Sequence, residues 1–280
     1  MKKKSNTIIK KLLFYVFVII TCVILTFPFY WLVITSLTKK GNMLNASGVF
    51  PHLSTLTIDT YINIFTQRPL SVWFRNSLII TFGTIIAVLL ISTFAAYSLS
   101  RFRSSVNKKI GYSLLLVCMM PSALFIIPLY ITLSKMGLIN DSLSVIIANS
   151  AITIPFSTWM MKSFFDGISI NLEEAAQIDG CGVVSSIFRV VLPLSLPGLA
   201  ATIIYTAVLS WSDFLFSRTF LNTEPKWTIT VGVYSMIGEH GILWEEISAA
   251  AVISIMPITL LFIFMQKYLI TGMTSGAVKQ

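Results

Sequence analysis

Charged side chains are scarce in this chain of 280 residues, and their scarcity limits what the protein can be. Asp, Glu, Lys and Arg make up 11% of the residues and hydrophobic residues make up 55%, whereas a soluble globular domain carries about 25% charged residues. So few polar groups cannot cover a compact domain in water. The composition excludes an intrinsically disordered chain and argues against a water-soluble enzyme.

Cysteine and histidine are also rare. The three cysteines, Cys22, Cys118 and Cys181, lie in or beside apolar stretches, where cysteine acts as a small hydrophobic residue. They exclude a disulfide-stapled secreted module. The two histidines, His52 and His240, fall in predicted outer loops, and two distant histidines are a poor basis for a metal site.

The short motifs of common enzyme families are missing. The chain contains no Gly-Lys dipeptide, so it cannot form a P-loop for nucleotide phosphates. It also lacks the H-E-x-x-H, C-x-x-C and G-x-S-x-G patterns. We therefore expect that the chain is not an enzyme and binds no cofactor of its own.

Six apolar runs are each long enough to cross a membrane as a helix, which needs about 20 residues. The first run is too long for a signal peptide, and no small-residue cleavage site follows it, so we expect a retained helix. In the fifth run, Pro193 and Pro197 place the start of the embedded part near Gly198. The prediction is an all-α integral membrane protein, one transmembrane domain over residues 1–280, with spans at about 12–38, 76–100, 110–134, 142–161, 198–220 and 247–266.

Lysine and arginine indicate the orientation of the spans. With the N-terminus in the cytoplasm, 13 of the 20 basic residues lie on the cytoplasmic side and seven lie outside, at Lys39, Lys40, Arg68, Arg75, Lys135, Arg218 and Lys226. Cytoplasmic loops of membrane proteins carry such an excess. Both termini are predicted to be cytoplasmic. The basic flanks on the cytoplasmic face, beside the membrane lipids, account for most of the formal charge of +9, so no nucleic-acid partner is expected.

The segment 166–197, between the fourth and fifth spans, differs from the other loops. Its pattern predicts two short helices joined by a glycine turn at Gly180 and Gly182. Asn171 is the expected N-cap of the first helix, with Glu174 three residues later as in a capping box. Apolar residues fall at helical spacing in both helices, namely Leu172, Ala175 and Ala176 in the first and Val183, Val184, Ile187, Phe188 and Val191 in the second.

These residues allow two interpretations. The 166–197 segment could lie on the membrane surface as an amphipathic loop, or it could dock its apolar ridge into a groove of a cytoplasmic protein. We expect Pro193 to end the second helix. Asp213 is the one acidic residue within a predicted span, and it is either an interfacial residue or a functional one.

Glu174-Ala175-Ala176, Gly180 four residues after Ala176, and Leu192-Pro193 resemble the EAA loop of binding-protein-dependent ABC importer permeases. The likeness extends along the chain and is strongest with the second permease of maltose-type carbohydrate systems. It includes Asn76-Ser77-Leu78, Ile127-Pro128-Leu129-Tyr130, Pro197-Gly198-Leu199, Trp211-Ser212-Asp213-Phe214-Leu215 and Gly276-Ala277-Val278-Lys279.

The resemblance implies half of a translocation pore in the bacterial cytoplasmic membrane. The other components would be a second permease subunit, two ATP-binding subunits that hold the ATP and Mg, and an extracellular solute-binding protein or lipoprotein that delivers a carbohydrate. The coupling loop 166–197 would contact the ATPase through Glu173, Glu174, Ala175, Ala176, Asp179, Gly180, Phe188, Leu192 and Pro193.

The resemblance implies three further sites. The C-terminal residues Gly276, Ala277, Val278 and Lys279 would also touch the ATPase, and Trp211 and Asp213 would lie on the substrate path. The solute-binding protein would contact Trp227, His240 and Trp244, unless these are residues of the membrane interface. Two alternatives are an ion-coupled secondary carrier that uses Asp213 and a membrane scaffold without a pore.

Overall fold

The structure, a computed structural model, is helical almost throughout, which confirms the predicted all-α fold class. It describes residues 2–39, 56–102, 104–237 and 243–277, with side chains for residues 10–39, 56–102, 104–237 and 243–269. His52, His240, Val278 and Lys279 lie outside the described residues. The chain forms two compact units, Met1–Leu70 with Ser235–Ile255, and Ser71–Tyr234 with Met256–Gln280.

Within the described residues, four helices are long and apolar enough to cross a hydrocarbon core of about 30 Å. They coincide with the predicted first, second, fourth and sixth spans. Their stretches of suitable composition are 25 to 32 residues long, so each rises at least about 38 Å along its axis. The helices are α1 (Lys2–Ser36), α3 (Leu70–Arg101), α6 (Ser142–Asp166) and α13 (Trp244–Ala277).

The predicted third span, 110–134, is not one continuous helix. Helix α4 (Ser105–Cys118) ends before Pro121, and a 3₁₀ turn leads into α5 (Ile126–Lys135), with a bend of 105° between the two arms. Proline disfavours helical backbone at the residue before it and donates no amide hydrogen bond. The apolar run hid this break because hydrophobicity alone does not register proline.

The predicted fifth span, 198–220, is also divided. Helix α10 (Leu196–Trp211) begins two residues before Gly198 and ends at Trp211, and the separate helix α11 (Leu215–Phe220) follows. The helical run Val183–Leu194 meets α10 at an angle of 83°. Counting each bent pair as one span gives up to six crossings; the number six and the cytoplasmic termini stay predictions.

Helices α3 and α6 run in the same direction and meet along their length. Gly83, near the middle of α3, lies so close to Ile146, near the start of α6, that an added Cβ would come within 2.6 Å of the Ile146 Cδ1 atom. At their ends, the Ser100 hydroxyl donates to the Asp166 carboxylate over 2.6 Å. Both helices therefore finish at one side of the second unit, where the 166–197 segment begins.

Buried polar contacts join α3, α6 and α10 between these ends. The Asn149 amide donates to the Ser210 hydroxyl over 3.3 Å, and Ser210 donates to the Thr84 hydroxyl over 3.3 Å. Apolar clusters lie on either side of these polar contacts along the helices. Near the 166–197 segment the cluster comprises Ala96, Tyr97, Met161, Phe165, Ile187 and Val191.

Five shorter α-helices complete the described chain. Helix α2 (Asp59–Gln67) lies in the first unit, where the Tyr61 and Ser36 hydroxyls are 2.8 Å apart. Helices α7 (Ile170–Ile178), α8 (Val183–Ser186) and α9 (Leu192–Leu194) lie in the 166–197 segment. Helix α12 (Ile229–Ser235) follows the segment that packs on the start of α3.

Candidate functional site

The 166–197 segment contains the predicted pair of short helices. Helix α7 ends at Ile178 and a second helical run begins at Val183. Gly180 between them has φ +89°, a backbone conformation that disfavours any residue with a Cβ. The Cys181 amide donates to the Ala176 carbonyl over 2.9 Å and the Gly180 amide donates to the Gln177 carbonyl over 3.0 Å. This pair of bonds is a Schellman motif, so the predicted turn at Gly180 is confirmed.

Two details of the predicted turn and cap are wrong. Gly182 has φ −71° and is the extended N-cap of the second helix, so it needs no glycine-specific backbone. The N-cap of α7 is Ser169, and Asn171 lies inside the helix. Ser169 is the residue with extended backbone ahead of α7, so the helix starts earlier than the capping-box spacing indicated.

Glu173 anchors α7 to the end of α3. Its side chain is 3% exposed and its Oε1 atom lies 2.6 Å from Arg101 Nη2 and 2.7 Å from Arg101 Nε. The Tyr97 hydroxyl donates to its Oε2 atom over 2.8 Å. Arg101 also donates to the Ile168 carbonyl over 3.2 Å. Removing one partner of a buried ion pair is costly, so the Glu173–Arg101 pair holds the loop to α3.

A second set of polar contacts joins the same corner to α6. Arg101 donates to the Ser100 hydroxyl over 3.1 Å, and Ser100 donates to Asp166. Lys162 forms an ion pair with Asp166 one helical turn away. Sequence reasoning missed Tyr97, Ser100 and Arg101, because pairs separated by 66 to 76 positions leave no periodic signal.

The opposite side of α7 faces outward. Glu174, Ala175, Asp179 and Gly180 are exposed, Ala176 is half-buried, and 86% of Ile178 is accessible. Ile178 therefore makes little contact with the rest of the described chain. The structure thus separates two neighbouring acids: Glu173 points inward to Arg101 and Glu174 points outward.

The second helical run places its predicted apolar residues on two sides. Ile187 and Val191 are buried, whereas Val183, Val184 and Phe188 are exposed, with Phe188 edge-on to Phe94. Residues Ile187–Val191 form a π turn just before Pro193, which lacks the amide hydrogen that would bond to Arg189 in an α-helix. Leu192 is half-buried, Pro193 is exposed, and the run ends at Leu194, one residue after the predicted stop.

Asp213 lies at the break between α10 and α11 and caps α11. Its carboxylate accepts hydrogen bonds from the Phe216 amide at 3.2 Å and from the Ser217 amide and hydroxyl at 2.9 and 2.8 Å. These are donors that a helix start leaves unsatisfied. The neighbouring Trp211 is buried against Phe74. This geometry accounts for the carboxylate without ion coupling.

The segment around Trp227 is fixed to the start of α3. The Asn76 amide donates to the Pro225 and Trp227 carbonyls over 2.9 and 3.0 Å, and Trp73 donates to the Glu224 carbonyl over 3.2 Å. The Trp227 ring is 6.3 Å from Trp73. Trp244 is 47% exposed at the start of α13 and belongs to the other unit. Gly276 and Ala277 are the last helical residues of α13.

Residues 88–275 match the family described as "Binding-protein-dependent transport system inner membrane component". The chain is 32% identical to the arabinooligosaccharides transport system permease protein AraQ of Halalkalibacterium halodurans, over the full length of both. It is 33% identical to the probable ABC transporter permease protein YurM of Bacillus subtilis, over 95% of this chain and 87% of that one.

A solved structure has the same fold. It is the crystal structure of a bacterial ABC transporter involved in the import of the acidic polysaccharide alginate, and one of its chains matches with a TM-score of 0.80 at 20% identity. The match covers 93% of this chain and 96% of that one. From the family match and these full-length relatives, the chain belongs to the inner-membrane permease components of binding-protein-dependent transport systems.

Proposed function

We propose that the chain forms half of the translocation pore of an ATP-driven importer for a sugar or oligosaccharide. A second permease subunit supplies the other half, and two separate ATP-binding subunits hold ATP and Mg and hydrolyse the nucleotide. An external solute-binding protein delivers the substrate. The relatives support the substrate class, since they include the arabinooligosaccharides permease AraQ and the trehalose/maltose permease protein MalG of Thermococcus litoralis, which is 30% identical over 97% of this chain.

The proposal rests on one observation: one side of α7 is fixed to the rest of the protein and the other side is exposed. Its inner side is fixed by the Glu173–Arg101 ion pair and its outer side presents Ile178 and Glu174. A helix held in this way cannot move alone. A partner that shifts α7 would displace the end of α3 through Arg101 and the end of α6 through Ser100 and Asp166.

The contact surface for the ATPase comprises the exposed part of the 166–197 segment. Ile178 supplies the main apolar anchor, because a well-buried apolar side chain contributes more to an interface than a rim charge. Glu174 and Asp179 lie beside it and would set the orientation of docking. The C-terminal residues from Gly276 to Lys279 form a second contact in this proposal. The residues of the segment assigned to the contact are Glu174, Ala175, Ala176, Asp179, Gly180, Phe188, Leu192 and Pro193, and buried Glu173 supports them by holding α7 to Arg101.

The start of α3, opposite to the end that contacts α7, would face the solute-binding protein. The segment that carries Trp227 is held by Asn76 and Trp73, and Trp244 is exposed. One related transporter has been solved in complex with an alginate pentasaccharide-bound periplasmic protein, and this chain matches it with a TM-score of 0.66 at 15% identity. In the proposal, Trp227, His240 and Trp244 contact the binding protein, and the substrate passes the α10–α11 break near Trp211 and Asp213.

Purification of the tagged full-length chain from its native membrane tests the proposal. We expect an ATP-hydrolysing subunit and a second permease to co-purify, and the reconstituted assembly to take up sugar only with ATP and the solute-binding protein. Uptake by the chain alone under an ion gradient, abolished by Asp213→Asn, would instead establish the secondary carrier. The matched control is an assembly whose ATPase cannot hydrolyse ATP.

A further inference from the structure

A cavity of about 650 Å³ opens where α3 ends, α4 begins and α6 ends. Its lining includes Arg101, Lys108, Tyr112, Trp159 and Lys162. Because α3 and α6 both finish here, the cavity lies at the end of the membrane-spanning helices, on the side of the 166–197 segment. It is distinct from the exposed side of α7, and its occupant does not depend on the function proposed above.

The lining carries excess positive charge. Arg101 is paired with Glu173, and Lys162 is paired with Asp166, which is the one carboxylate in the lining. Lys108 is exposed and has no carboxylate partner among the described residues. With Arg101 and Lys162 paired, Lys108 supplies the uncompensated positive charge of the described lining, and this charge favours an anionic occupant.

The cavity continues into an apolar, exposed face of α4. Tyr112, Leu115, Leu116 and Met119 share one side of this helix at spacings of three, four and seven residues, and they are 65%, 40%, 65% and 82% exposed. The other side packs on α6, where the Trp159 indole donates to the Gly111 carbonyl over 3.0 Å. An occupant of the cavity therefore meets cations at one end and apolar side chains along the helix.

The size of the cavity favours a large amphipathic ligand. A volume of about 650 Å³ lies within the range of about 300 to 1,000 Å³ for ligand sites, and it far exceeds a phosphate ion. Basic pockets at the cytoplasmic ends of membrane helices suit phospholipid headgroups, and aromatic rings such as Tyr112 and Trp159 are typical of the headgroup level.

We propose that this cavity binds the phosphate-bearing headgroup of an anionic phospholipid of the cytoplasmic leaflet. Lys108 is the principal charge contact, and Arg101 and Lys162 contribute through their remaining donors. The acyl chains lie along Tyr112, Leu115 and Leu116. A soluble phosphate ester has only the phosphate group in common with the phospholipid. The apolar face of α4 therefore favours the lipid over the ester.

The test measures lipid binding to the delipidated, detergent-purified full-length chain with its co-purifying subunits. Native mass spectrometry would follow titrations with dioleoyl phosphatidylglycerol and dioleoyl phosphatidylcholine. We expect phosphatidylglycerol to bind at least tenfold more tightly. Lys108→Gln should weaken its binding about fivefold, since one basic residue near an anionic lipid contributes about 1 kcal/mol.

Lys109→Gln is the matched control, because Lys109 is exposed next to Lys108 and does not line the cavity. It should leave phosphatidylglycerol binding unchanged. Leu116→Glu, on the acyl path, should weaken binding even if the Lys108 variant is poorly expressed. Equal effects of the two lysine substitutions would overturn the site. Displacement of the lipid by equimolar inorganic phosphate or glycerol 3-phosphate would overturn the lipid assignment.

Discussion

Two adjacent glutamates illustrate how strongly a residue's role depends on the direction of its side chain. The motif highlighted Glu174, which the structure exposes, whereas Glu173 is buried on Arg101. Helical spacing predicts which residues share a face, but it does not tell which face meets a partner 72 positions away. Only the contact between the end of α3 and helix α7 identifies Glu173 as an internal anchor.

We expect Glu173→Ala to destabilise the purified chain by about 3 kcal/mol, because it leaves Arg101 as a buried charge without its partner. Glu174→Ala should change stability by less than about 0.5 kcal/mol, as is usual for an exposed residue. Thermal unfolding in detergent would measure both variants. Equal loss of stability in the two variants would contradict the anchoring role.

Gly180 and Gly182 offer a second residue-scale comparison. Gly180→Ala places a Cβ at φ +89° and should cost about 1 kcal/mol. Gly182→Ala, at φ −71° with nothing within 4 Å of the added Cβ, should stay within about 0.5 kcal/mol of the parent chain. Unfolding midpoints of the two variants would decide, and an effect of Gly182→Ala as large as that of Gly180→Ala would argue against the turn geometry.

At the scale of elements, the sequence predicted the long helices and the helix–turn–helix of the 166–197 segment. Continuous apolar runs and a glycine between two amphipathic stretches are local signals. The sequence reasoning was wrong where a local breaker lay inside an apolar run, as at Pro121 in the third predicted span. The sequence analysis also predicted α10 and α11 as one span, because it considered the charge of Asp213 but not its capacity to cap a helix.

The exposed side of α7 carries a prediction about docking. Ile178→Asp should leave the fold intact, since 86% of this residue is exposed, and should reduce co-purification of the ATP-binding subunit at least tenfold through loss of an apolar anchor. Gln177→Asp adds the same charge to a neighbouring exposed position and serves as the control. Quantitative immunoblots of the purified assembly would measure both, and equal retention of the ATPase by the two variants would remove Ile178 from the interface.

At the scale of the whole molecule, the parallel course of α3 and α6 agrees with the orientation that basic residues indicate. Two predicted spans separated by one other span must cross the membrane in the same direction, and these two helices do run in parallel. Their common end carries Arg101, Lys108 and Lys162, as expected for a cytoplasmic side. The placement of basic residues indicates only the direction of each span. It could not predict the bends within the third and fifth spans.

The orientation can be tested with the chain's own cysteines. In a Cys22→Ser/Cys118→Ser background, Cys181 is the remaining thiol, next to the turn at Gly180. A membrane-impermeant maleimide should label it in inverted vesicles stripped of peripheral proteins and leave it unlabelled in right-side-out vesicles. Labelling from the outer side would reverse the assignment of both termini.

The bare tip of α7 has a consequence for how cells must make this protein. With α7 on the cytoplasmic side, as proposed, a chain synthesised in excess of its docking partner leaves Ile178 accessible there, and quality-control chaperones and proteases bind unprotected apolar groups. We expect orphan copies to be degraded faster than assembled ones. In the proposed assembly, balanced synthesis of the permease and the ATP-binding subunit then sets the abundance of the transporter.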